Sequence, residues 1–150
     1  MRSSPARYEF DIRLHRRPAT AVTSGSLSSG SALLATLQVP TGQQAEPMAV
    51  SFERALDEIA SLPGCYGEPD GSILWTGQDE AGRWQVDGNL FDRGGQVVFA
   101  TLSGSCPPVE FDRLLACFGW PEEPLMMELV RAAVFVSEAD FRQQAGRPSS

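Results

Sequence analysis

Between Ser72 and Leu102 three alternating runs, Ser72–Thr76, Trp84–Phe91 and Gln96–Leu102, are separated by Gln78-Asp79-Glu80-Ala81-Gly82 and by Asp92-Arg93-Gly94-Gly95. Alternation with period two belongs to strands, and both separators hold the residue types that return a chain on itself. The stretch from about residue 72 to 103 therefore predicts a three-stranded antiparallel meander. A four-residue second loop sets Leu90 against Val97, Gly88 against Phe99 and Val86 against Thr101. Trp84, Val86, Leu90, Val97 and Phe99 then share one face, with Phe99 over the gap at Gly88, and Gln85, Asp87 and Asn89 form a wet face. Val98, Ala100 and Leu102 make the third strand apolar on its second face too, so it calls for a further element to pair with or cover it. The candidates are Tyr8–Leu14 and Val134-Phe135-Val136.

The flanking segments supply those elements and several helices. Tyr8, Phe10, Ile12 and Leu14 alternate with Glu9, Asp11, Arg13 and His15, a strand with one buried side, and Pro18 ends it. Thr23–Ser31 is Ser/Gly-rich and predicts a flexible loop, followed by a short strand at Ala32–Val39. Phe52, Ala55, Leu56, Ile59 and Ala60 fall at helical spacing behind the N-cap Ser51, giving a helix over 52–62 that Pro63-Gly64 stops. Pro107-Pro108 opens a second helix, 108–118, with a stripe of Val109, Phe111, Leu114, Leu115 and Phe118 closed by Gly119. Leu125, Met126, Leu129, Val130 and Ala133 predict a helix over 123–133, with Glu122-Glu123 at its N-terminal end. Ser137 and Asp140 form a capping pair for a last helix, 138–145. The expected fold class is α+β: residues 1–50 an N-terminal strand plus a partly flexible segment, and residues 51–150 a single α+β domain built on the meander. The order helix, three strands, helix in a small acidic protein is similar, as architecture, to type III secretion chaperones, and architecture alone does not give function.

Charge narrows the partners. Nineteen acids against twelve bases give a net charge of −7, which repels phosphate backbones, so nucleic acid is not an expected partner. Every base is Arg and Asn89 is the only Asn, a skew that fits a bacterial, GC-rich genome. Cys65, Cys106 and Cys117 are odd in number and contain no Cys-x-x-Cys pair, which points away from a disulfide framework or zinc ribbon and towards a reducing, cytoplasmic setting. Met1–Tyr8 has no apolar segment behind Arg2 and Arg7, and no run approaches the length of a membrane span, so a soluble chain without a leader is expected.

Candidate chemistry is sparse. Cys106 precedes a helix N-terminus, where a thiol is acidified, which makes it the candidate nucleophile; the only His, His15, stands far off on another strand. Asp87 and Asn89 share a face with Asp92 in the adjoining turn and are candidates for a cation or an acid–base cluster, although a solvated strand face explains them equally well. Phosphate-loop and serine-hydrolase patterns are missing, so no cofactor and no metal is expected. Trp75, Trp84 and Trp120, with Tyr66, are candidates for a binding groove or for core packing, and Met126-Met127 for an adaptable contact surface or for core. The reading that follows is a non-catalytic protein-interaction module, an adaptor, chaperone-like protein or inhibitor, meeting a protein partner or a second copy. The alternatives are a cysteine-dependent enzyme using Cys106 and a small-ligand or metal-binding domain.

Overall fold

We describe the fold from a computed structural model that covers residues 7–29, 32–44 and 46–146. Expectations for Met1–Ala6, Gly30, Ser31 and Ala45 lie outside the described residues. The strands are β1 (Tyr8–Arg16), β2 (Val22–Ser29), β3 (Ala32–Gln38), β4 (Cys65–Gly67), β5 (Ser72–Asp79), β6 (Gly82–Arg93), β7 (Gln96–Cys106), β8 (Leu125–Leu129) and β9 (Val134–Ser137). All pair antiparallel in one sheet of order β2-β3-β9-β8-β1-β7-β6-β5-β4. Helices α1 (Phe52–Ala60), α2 (Pro108–Ala116) and α3 (Glu138–Ala145) complete it. The expected three-stranded meander flanked by helices is thereby corrected: strand makes up 48 % of the structure, so a nine-stranded sheet dominates.

Turn length and one bulge together set the register of β6 against β7. Gly94 and Gly95, at φ 61° and 87°, make a two-residue link between paired Arg93 and Gln96, where a four-residue loop was expected. Beyond the link a one-residue bulge between Phe91 and Asp92 shifts the pairing again, so that Leu90 faces Ala100, Gly88 faces Leu102 and Val86 faces Gly104. Phe99 moves to the opposite face from the one predicted, where it pairs with Phe91. The expected cover of a strand glycine by an aromatic ring occurs one hairpin away. Trp84 lies over its cross-strand neighbour Gly77, and a Cβ built on Gly77 would stand 2.1 Å from the indole.

The outer side of β7 is taken by β1, from Tyr8 opposite Cys106 to Leu14 opposite Ala100. On its other side β1 pairs with β8, Ile12 through Arg16 against Leu129 through Leu125. Leu125–Leu129 is thus a strand where a helix over 123–133 was expected. Its neighbours bury both faces, Met127 joining the main core and Met126 a smaller one, so the sequence reads as an unbroken apolar run that suits helix and strand alike. The Ser/Gly-rich stretch expected as a loop is strand β2.

The three helices lie on one side of the sheet. Ser51 Oγ accepts from Arg54 N–H and Ser137 Oγ from Asp140 N–H, which starts α1 and α3 where local sequence places them. Ala55 and Ile59 of α1, Phe111, Leu114 and Leu115 of α2 and Phe141 of α3 pack with Phe10, Ile12, Leu14, Trp75, Val86, Leu90 and Leu102 of the sheet. Val109, expected in the buried stripe of α2, is exposed. Arg142 ties α3 to α2: its Nη1 is 2.6 Å from Asp112 Oδ1, Nε reaches Glu138 Oε2, and the guanidinium lies over the rings of Tyr8, Phe111 and Trp120.

Candidate functional site

Over β4 to β7 and the start of β1 the opposite side of the sheet carries no helix among the described residues, a single 3-10 turn at Thr41–Gln43 standing beside His15, and its residues are fixed by the ladders. One row across β4, β5, β6, β7 and β1 reads Tyr66, Leu74, Asp87, Ser103 and Asp11. The next rows on either side bring Thr76, Gln85, Ser105 and Glu9, and Ser72, Asn89, Thr101 and Arg13. Glu9, Asp11, Gln85, Asp87 and Ser103 are exposed. Three large apolar side chains stay uncovered beside them: Tyr66 at 76 %, Leu74 at 41 % and Phe91 at 40 % exposure. An open sheet face that keeps such side chains in water together with carboxylates has the mixed chemistry of a contact surface.

Two structures bound this face. Towards the start of β7, Phe91 stacks on Phe99 with centroids 4.5 Å apart, Phe99 stacks on His15 at 5.7 Å, and His15 meets Phe135 edge-on at 5.3 Å. Arg13 lies over Phe99, its Cζ 5.6 Å from the ring centre. His15 is buried, its Nε2 2.9 Å from Glu128 Oε1, and burial pushes its pKa below the ordinary value against the pull of Glu128. At the other end β8 stops at Leu129 while β1 continues to Tyr8, so among the described residues the Tyr8–Asp11 half of β1 has no strand on that side. The step leaves a concavity of about 650 Å³ whose lining includes Glu9, Asp11, Ser103, Ser105 and Arg131.

The residues singled out from sequence fall into three groups. Asp87 and Asn89 do lie together on the helix-free face, where Asn89 Nδ2–H donates to Leu90 O, but Asp92 is beyond the bulge and accepts from Gly95 N–H in the turn. Asp11, on a strand far away in sequence, is the acid that shares a row with Asp87. Trp75 and Trp84 are core on the helix side, in edge contact at 5.0 Å, and Trp75 Nε1–H donates to Pro63 O. Trp120 is half-buried and donates to Glu138 Oε1. None of the three tryptophans lines the open face. Cys106 is wholly buried at the end of β7, and burial, reinforced by Glu110, pushes its thiol up to about 12. Burial also shields the thiol from solvent. Among the described residues no three His, Cys, Asp or Glu side chains gather as metal ligands would.

Sequence reasoning missed Glu9, Asp11 and Leu74, and named Tyr66 only beside the tryptophans as a candidate for a binding groove. Asp11 and Glu9 carried a signal, the polar half of an alternating strand, but their neighbours depend on which strand β1 joins. Comparison with protein-family models, with curated proteins and with solved structures finds no match to this chain. No helix among the described residues is long and apolar enough to cross a membrane.

Proposed function

We propose that this chain is a non-catalytic protein-interaction module, of adaptor or inhibitor type, that presents the helix-free face of its sheet to a basic partner. The observation that carries the reading is the row of Tyr66, Leu74, Asp87, Ser103 and Asp11, in which exposed apolar side chains flank exposed carboxylates. Tyr66, Leu74 and Phe91 supply area to bury, and Glu9, Asp11 and Asp87 supply the charge that basic side chains of the partner would meet. The net charge of −7 steers a basic protein towards the chain before contact. Three thiols without a disulfide suit a reducing compartment such as the cytoplasm.

The reading is tested by paired charge reversals. The chain carrying Asp11→Arg and Asp87→Arg is compared with one carrying Glu53→Arg and Asp57→Arg, two exposed acids of α1 on the other side of the sheet. Both variants change net charge equally. Capture of one defined protein from lysate by the wild type and by the α1 variant, lost in the sheet variant and weakened by salt, is the expected result. Equal capture by all three, or by none, rejects the face.

A further inference from the structure

The two ends of the sheet are built differently. The β4 end is a three-residue strand between Pro63 and Pro69, too short to extend the ladder far. The β2 end is an eight-residue strand, Val-Thr-Ser-Gly-Ser-Leu-Ser-Ser, with no charge and no Pro to keep it from pairing, and its one irregularity, between Thr23 and Gly25, leaves Gly25–Ser29 in regular register. Among the described residues β2 pairs with β3 alone, and Val22–Ser26 are exposed. Among the described residues, the side of β2 away from β3 therefore has no strand against it.

The geometry points to a second copy of this chain as that strand, β2 pairing antiparallel with β2 of the copy about a two-fold axis. Two chains of charge −7 repel wherever their acids face each other, and β2 is the long edge at which they meet without opposing charges. Small Ser, Thr and Gly side chains at 23–26 set no steric barrier, and a neutral antiparallel strand is its own complement, as an isologous interface requires. A foreign strand has no acid on β2 to recognise, unlike the basic partner proposed for the open face. The axis stands perpendicular to the sheet, so both helix-free faces point the same way and the dimer offers two of them to one partner; the dimer itself does not depend on that reading.

The test is sedimentation of the full chain over a concentration series. The wild type should pass from monomer to dimer. Chains carrying Ser24→Glu with Ser26→Glu, or Ser24→Arg with Ser26→Arg, should each stay monomeric with unchanged Tm, and an equimolar mixture of the two should dimerise. Hydrogen exchange on the wild type gives a second readout, with Val22–Ser29 amides gaining protection as concentration rises. A wild type that stays monomeric, variants that dimerise as it does, a mixture that stays monomeric, or β2 protection independent of concentration overturns the inference. Asp11→Arg with Asp87→Arg should leave the dimer intact, which separates failure here from failure of the partner face.

Discussion

His15 Nε2 stands 2.9 Å from Glu128 Oε1, and the ring is held between Phe99 and Phe135, so the only histidine of the chain is buried where β1 joins β8. Burial depresses its pKa, with Arg13 acting in the same direction and Glu128 against it. Below the ordinary value of 6.5 the unfolded chain takes up a proton that the folded chain resists, so stability falls as pH drops from there towards the folded value. The contribution is fully present above 6.5. Thermal unfolding between about pH 5 and pH 7 should show Tm rising with pH, and His15→Gln should flatten that slope. An unchanged slope in the variant assigns the dependence to other groups.

Gly77 is occupied from outside by the Trp84 indole, which in turn meets Trp75 edge-on. A methyl group there has no room, so Gly77→Ala should destabilise the chain by about 1–3 kcal/mol in urea unfolding, the usual cost of overfilling a packed site. Gly82 faces open space but at φ 117°, so Gly82→Ala acts through backbone strain alone. A Gly77→Ala chain as stable as the wild type would mean that the indole shifts freely, against the double packing seen.

Burial raises all three thiols, Cys65 to about 11 and Cys106 and Cys117 to about 12. Iodoacetamide at pH 8 should therefore leave Cys106 and Cys117 unmodified in the folded chain and alkylate all three in denaturant, followed by intact mass. Rapid modification of folded Cys106 would restore the cysteine-enzyme alternative.

How much of this was legible follows from how local each cause is. Ser51 and Ser137 announce α1 and α3 because a cap and its target N–H lie three residues apart. Tyr8–Leu14 reads as a strand from its alternation, and β6 from Trp84, Val86 and Leu90. Leu125–Leu129 misleads because burial on both faces erases the alternation that separates strand from helix. Val22–Ser29 misleads because an edge strand buries little, so its composition resembles that of a loop. Phe99 lands on the other face because a one-residue bulge between Phe91 and Asp92 inverts the alternation, whereas the shorter Gly94-Gly95 link moves the pairing by two residues and keeps each side chain on its face. The candidate face was half visible: Asp87 and Asn89 read as wet, yet their meeting with Asp11, Leu74 and Tyr66 depends on four ladders at once.

The central position of β1 bears on the order in which the fold forms. Synthesised before the other strands of this sheet, it pairs among the described residues with β7 and β8, which emerge much later. The β5–β6–β7 hairpins close through short turns and form early, while Phe10, Ile12 and Leu14 must wait, unpaired, for their partners. Insertion of β1 is then the step that joins the two halves of the sheet, and until it happens a growing chain carries a long apolar strand that a chaperone or another nascent chain can seize.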